Sequence, residues 1–156
     1  MRRYGVSFSA SVSTSANTVT QAIGLITGSG RVAQVYEIIV AANSSASDAT
    51  IRTDLYAVSA LTAGTTLTPV ALEQGNSAPA ANTGASSTPT AVTTSGLSLV
   101  PLVFNSRATV RWAAVDPDSR VIVPAGGGAA GSLVHQNQQP GTVASLTVLH
   151  QLYFAE

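Results

Sequence analysis

From Tyr4 to Ser13 the chain alternates without a break. Tyr4, Val6, Phe8, Ala10 and Val12 fall on one side, and Gly5, Ser7, Ser9, Ser11 and Ser13 on the other. Successive side chains of a strand point to opposite faces, so this spacing predicts a half-buried β-strand with one apolar and one hydroxyl-bearing face. The same period returns at the far end, over residues 142–154. There Val143, Ser145, Thr147, Leu149, Gln151 and Tyr153 oppose Ala144, Leu146, Val148, His150, Leu152 and Phe154. It appears again over residues 50–60, where Ile51, Thr53, Leu55, Ala57 and Ser59 alternate with Arg52, Asp54, Tyr56, Val58 and Ala60.

Between these anchors the chain reads as further extended segments at residues 18–27, 31–42, 97–104, 109–115, 120–123 and 132–135. Glycine turns (Gly28-Ser29-Gly30), an Asp-Pro turn (Asp116-Pro117-Asp118-Ser119) and loops at 43–49 and 124–131 separate them. Residues 67–72 are expected as a short strand or as a turn leading into a helical turn, because Pro69 argues against a central strand. Residues 74–96 hold Gln, Gly, Asn, Ser, Ala, Pro and Thr, with Val92 the one large apolar side chain. They are expected as a long loop, unable to bury a core of its own. About eight to ten strands with no amphipathic helix and no internal repeat predict an all-β antiparallel sandwich of jelly-roll type. Residues 1–156 are expected as one domain, with an N-terminal strand able to extend from it.

Composition bears on the surface of such a sandwich. Ala, Ser, Thr and Val supply 80 of 156 residues, lysine and cysteine are absent, and only 9% of residues are charged, against about 25% in an ordinary soluble domain. A surface so poor in solvated charge is expected to be covered by other protein. Seven arginines balance seven acidic residues, which argues against nucleic acid as a partner, since that needs clustered positive charge. Without cysteine there is no disulfide framework, thiolate nucleophile or Cys-ligated zinc. The alternation after Met1-Arg2-Arg3 is unlike a secretory signal, and no run approaches the ~18 apolar residues of a membrane helix. No membrane partner is therefore expected.

No motif in the chain points to catalysis. Gly126–Ser132 lacks the lysine of a phosphate-binding loop. His135 and His150, the only imidazoles, lie in or beside predicted strands and are expected to pack rather than to act as ligand or base. Asp116 and Asp118 are too few for calcium, and an Asp at a turn start hydrogen-bonds its own backbone. Asp48, Asp54, Glu37 and Glu73 have no paired spacing. Asn43-Ser44-Ser45 matches a glycosylation acceptor, which means little without a secretory signal. Trp112 is expected in the core, with Arg111 on the opposite face. No catalytic, cofactor-binding or metal residue is assigned, and no cofactor is expected.

Three segments read together carry a resemblance. They are Arg3-Tyr4-Gly5-Val6-Ser7-Phe8-Ser9-Ala10; then Val35-Tyr36-Glu37-Ile38-Ile39-Val40 through Leu67-Thr68-Pro69-Val70-Ala71-Leu72; then Arg107-Ala108-Thr109-Val110-Arg111-Trp112-Ala113-Ala114. In texture and order the chain resembles the small capsid-associated structural proteins of tailed bacteriophages, and in particular their β-sandwich decoration, or cement, proteins. The resemblance implies a non-enzymatic jelly-roll protein on the outer capsid surface of a virion. Its implied partners are itself, as a dimer or trimer, and the major capsid protein, across whose subunits it would bind. No contact residue carries over from the resemblance. The interface candidates rest on this sequence: Arg2, Arg3 and Tyr4 on the terminal strand, Gln74, Asn76 and Asn82 in the 74–96 segment, and Arg107, a residue type enriched at interface hot spots. Two other classes stay open: a carbohydrate- or receptor-binding sandwich of a fibre or lectin-like module, and an enzyme of cupin type, for which two histidines fall short.

Overall fold

The computed structural model describes residues 1–12, 19–27, 30–43, 48–61, 65–76, 83–87, 92–94, 98–125, 132–138 and 146–156. Thirteen strands run through them: β1 (Arg3–Val12), β2 (Val19–Thr27), β3 (Ala33–Ala42), β4 (Thr50–Leu61), β5 (Thr65–Leu67), β6 (Val70–Ala71), β7 (Thr83–Ser87), β8 (Val92–Thr94), β9 (Val100–Asn105), β10 (Thr109–Ala113), β11 (Val121–Val123), β12 (Ser132–Gln138) and β13 (Leu146–Ala155). A single 3-10 turn, Pro117–Ser119, joins β10 to β11. Asp116 caps it: the Ser119 amide donates to Asp116 Oδ1 at 2.8 Å, and the Asp116 amide donates to Ser119 Oγ at 3.2 Å.

The pairing is nested. β1 pairs with β13, β2 with β12, β3 with β10 and β11, and β4 with β9, every pair antiparallel. The chain is thus a long hairpin whose outermost strands are its ends, rolled so that β13 also meets β3 and β12 also meets β4. Rolling divides it into two sheets. Sheet A runs β10-β3-β13-β1-β6, with β11 beside β3; sheet B runs β5-β7-β2-β12-β4-β8, with β9 beside β4. This is the jelly-roll arrangement. The strands β5 to β8 are inserted at the tip of the hairpin, between β4 and β9.

The alternation read from the sequence places the core. Tyr4, Val6, Ala10 and Val12 are buried while Ser7, Ser9 and Ser11 face out. On β13, Leu146, Val148, His150, Leu152 and Phe154 are buried. Ile23, Leu25, Ile38, Val40, Ile51, Leu55 and Leu133 are among the other residues of this interior, and Trp112 packs against it from β10. A second, smaller cluster of Val58, Leu61 and Val134, with Ile26 and Tyr56, lies on sheet B. Its members alternate with core residues along β4 and β12, so it occupies the opposite side of that sheet. All six residues from Ser132 to Asn137 are buried, which makes β12 the most enclosed strand described.

Two segments differ from expectation. The 74–96 segment is not loop throughout: β7 pairs with β2 and β5, and β8 pairs with β4. Ladder hydrogen bonds come from the backbone, so the small residues Thr83-Gly84-Ala85-Ser86-Ser87 can join a sheet without an apolar side chain to announce it. Residues 67–72 hold no helical turn. They carry the end of β5 and all of β6, and cross from sheet B to sheet A at Thr68–Pro69. Both strands lie at sheet margins, where proline is tolerated.

Candidate functional site

The outer face of sheet A can be read directly from its register. Gly5 stands beside Tyr153, and Tyr153 beside Glu37; Ser7 beside Gln151, Ile39 and Arg111; Ser9 beside Leu149, Ala41 and Thr109. Ser7, Ser9, Thr109 and Arg111 are exposed, and Gln151, Leu149, Ile39, Ala41 and Tyr153 are partly so. The face is therefore a shallow mixture of hydroxyls, aliphatic side chains and one aromatic. Across these three rows the charges are Arg111 and Glu37, which satisfy each other in an ion pair.

One end of this face is more elaborate. The register between β13 and β3 shifts at Tyr153/Phe154, which makes Tyr36 an extra residue on β3. A bulge of this kind re-aims a side chain, and the Tyr36 and Tyr153 rings lie 6.4 Å apart. The Tyr153 ring lies close against Gly5, where a Cβ would stand 2.9 Å from Cε1 of the ring, an approach that the missing side chain of glycine permits. Beside them Arg3 donates from Nε and Nη2 to Glu73 Oε1 at 3.0 and 2.7 Å, and Asn76 Nδ2 donates to Glu73 Oε2 at 3.0 Å. Hydrogen bonds from Arg3 and Asn76, together with the Arg3 charge, hold the Glu73 carboxyl below its ordinary range. Burial raises the Tyr36 hydroxyl, with Arg3 acting against it. Gly75, at φ +87°, makes the turn that brings Asn76 back to Glu73.

Two clefts flank this end of β1. One, of about 270 Å³, is lined by Ser7, Thr68, Val70, Leu72, Gln151 and Tyr153 among others. The other, of about 250 Å³, is lined by Met1, Arg3, Tyr36, Arg120 and Ala155; Arg120 is anchored there by Gln34 Oε1 at 3.0 Å. Val70 (67% exposed), Leu72 (48%) and Met1 (72%) give the rim an apolar character.

The residues nominated from sequence divide accordingly. Arg2, Arg3, Gln74 and Asn76 gather at this end, with Arg3 and Asn76 sharing Glu73. Tyr4 does not belong with them. Its side chain is fully buried and stacks on Phe154 with ring centroids 5.5 Å apart, because it falls on the apolar side of the β1 alternation. Arg107 sits at the opposite end of sheet A, ion-paired to Asp48 at 2.8 Å. Asn82 lies outside the described residues, as do Ser44 and Ser45 of the glycosylation triplet and residues 126–131 of the glycine loop. Tyr36, Tyr153, Ile39 and Leu149 went unnominated. Strand parity signals the outward direction of Tyr153, Ile39 and Leu149, whereas that of Tyr36 comes from the bulge, and which outward face stays open depends on how the sheets stack.

The histidines occupy a place that parity alone does not reveal. His135, on β12 of sheet B, and His150, on β13 of sheet A, are both fully buried and meet across the interior, Nδ1 to Nδ1 at 3.2 Å. Their rings are edge to face, with centroids 4.8 Å apart. Among the described residues no group of three or more His, Cys, Asp or Glu side chains converges.

No family model matches this chain, and no curated protein matches it. Among solved structures it is similar to the VP2 subviral particle of infectious bursal disease virus, with 13% identity over 98% of this chain and 41% of the VP2 chain, at a TM-score of 0.20. It is likewise similar to a mutant VP2 of the same virus in derived T=1 particles, with 12% identity, 95% and 40% coverage, and a TM-score of 0.16. The chain spans about two fifths of the length of these VP2 chains. Likeness at these scores carries no argument, and the jelly-roll assignment rests on the strand pairing alone.

Proposed function

We propose that this chain is a non-enzymatic structural protein of a virus particle, a decoration or cement protein that packs against neighbouring capsid subunits through the outer face of sheet A. The observation that carries the reading is the character of that face: exposed hydroxyls and half-exposed aliphatic side chains, an internal Arg111–Glu37 ion pair, and an edge of Tyr36, Tyr153, Met1 and Arg3. Interfaces are enriched in aromatics, Met and Arg and depleted in Lys and other charge at their centres, and this chain has no lysine at all. The jelly roll is used by capsid domains, by lectins and by cupins, so the fold agrees with the reading without selecting it. The resemblance to phage decoration proteins supplies the finer terms: a dimer or trimer, bound across major capsid subunits on the outside of the shell.

Light scattering across a concentration series, followed by co-sedimentation with capsid shells, tests this. The natural chain is expected to self-associate or to pellet with shells. Leu149→Arg places a charge in the middle of the face and is expected to abolish both while leaving the β-sheet circular dichroism unchanged. Unaltered assembly in a folded Leu149→Arg chain would remove sheet A from the account.

A second reading has its own observation. The cleft lined by Ser7, Thr68, Gln151 and Tyr153 offers neutral hydrogen-bonding groups beside an aromatic ring, the chemistry of a sugar site. Titration with a glycan panel, read by chemical shifts at Tyr153 and Gln151, distinguishes it. Saturable shifts at those two residues support a lectin-like module.

A further inference from the structure

We infer that the His135–His150 pair is an acid-operated latch between the two sheets: neutral, it ties β12 to β13 across the core, and protons delivered to it force the sheets apart. The contact joins elements that share no ladder. β12 is hydrogen-bonded to β2 and β4, and β13 to β1 and β3, so these rings form a polar bond from sheet to sheet through a largely apolar interior. The inference does not depend on the particle reading above.

The proton count follows from the geometry. A single hydrogen bond between two Nδ1 atoms requires one ring to carry Nδ1–H and the other to present a lone pair there. The rings are therefore opposite tautomers, and the accepting ring bears its proton on Nε2. Neither Nε2 has a hydrogen-bond partner. A first proton can enter only at the Nε2 of the donating ring, placing a full charge in the interior with nothing to receive it. A second proton can enter only at the accepting Nδ1. Two N–H groups then stand head to head where one bond was, each on a cation. The second step destroys the latch.

The surroundings offer little compensation. In the register His135 is flanked by Ile23 on β2 and Leu55 on β4, and His150 by Phe8 on β1 and Val40 on β3. The charges acting on the pair are Asp54 of β4 on His135, and His135 itself on His150. Asp54 is already engaged by Arg52 at 2.8 Å. Buried Thr53 and Asn137, neighbours in the β4–β12 register, add uncharged polar atoms to this interior, and Thr53 Oγ1, Asn137 Oδ1 and Asn137 Nδ2 have no partner of their own. Burial outweighs the carboxylate: His135 is lowered to about 4, and His150, by burial and then by the His135 charge, is lowered well below its usual value.

A histidine lowered in the folded state costs no stability above its unfolded pKa near 6.5. It destabilises increasingly as pH falls from there towards its folded value, because only the unfolded chain takes up the proton. Between pH 7.5 and 5.5 two such groups raise the unfolding equilibrium constant about 100-fold, about tenfold for each. That window lies above the ordinary carboxylate range, so Glu73, held lower still, contributes little within it.

The test is urea unfolding of the full chain at half-unit steps from pH 7.5 to 5.5, with NMR of the imidazoles in the folded protein. Expected are the 100-fold rise, uptake of nearly two protons on unfolding at pH 5.5, and ring signals that do not titrate while the protein is folded. His150→Leu is expected to reduce the rise to about tenfold and the uptake to nearly one proton. Should His150→Leu fail to fold, proton uptake by the natural chain, from calorimetry in buffers of different ionisation enthalpy, decides alone. Ring signals titrating near 6.5 in the folded state, or an uptake near zero, overturn the inference.

Discussion

Asp54 and Arg52 show how little a short contact says about which partner matters. Both outward atoms of the guanidinium meet the carboxylate, Nε to Oδ2 at 2.8 Å and Nη2 to Oδ1 at 3.1 Å. Yet the Asp54 side chain is fully buried while 42% of the Arg52 side chain remains exposed. Removing the arginine strands a buried charge; removing the carboxylate frees a cation that can turn to water. Arg52→Ala is therefore expected to destabilise by about 3 kcal/mol, in the range for breaking a buried pair from the wrong side. Asp54→Asn is expected to cost about 1 kcal/mol, closer to the value of an exposed pair. Urea denaturation of the two variants at pH 7.5 orders them, and equal losses would mean that Arg52 does not shield Asp54. None of this asymmetry was legible in the sequence. The i, i+2 spacing puts both residues on one face of β4, but whether that face is covered depends on packing over sheet B.

Strands whose spacing carries both an apolar and a polar face were recoverable from the chain alone, as β1 and β13 demonstrate. Tyr4, Val6, Ala10 and Val12 are buried where alternation places them, and so are Leu146, Val148, Leu152 and Phe154. β7 was not recoverable, because Thr-Gly-Ala-Ser-Ser carries no parity signal; it exists through its ladders to β2 and β5. For β12 the sequence pattern predicts a strand only to His135, because Gln136-Asn137-Gln138 carries no apolar side chain, yet the strand continues to Gln138. Enclosure should govern local stability. Amides of β12 and β13, each held on both sides and lined by buried side chains, are expected to exchange with deuterium only through global unfolding, while those of the two-residue margin strand β6 exchange by local opening. Native-state hydrogen exchange followed by NMR checks the ranking. Rapid exchange in β12 would mean that its polar residues loosen it.

At the scale of the molecule, sequence reading recovered the class and type of fold because turn signals and alternation recur along the whole chain. It could not supply the nesting itself, which joins Arg3 to Ala155 and Val12 to Leu146 and depends on contacts no local window contains. The same limit hid the histidine contact: each ring lies on a predictable strand, but their meeting depends on how one sheet is laid over the other. One consequence of nesting remains at the poles of the hairpin. The Arg2 amide donates to the Glu156 carbonyl at 2.9 Å, and the Glu156 amide donates back to Arg2 at 3.0 Å. The strand pairing is therefore indifferent to where the covalent chain is cut. A permuted chain, with Met1 and Glu156 bridged by a few glycines and new termini opened in the turn at Ser106–Ala108, is expected to keep the sheets and their order. Cargo fused at those new termini would leave from the far end of sheet A, away from Tyr36, Tyr153 and the two clefts.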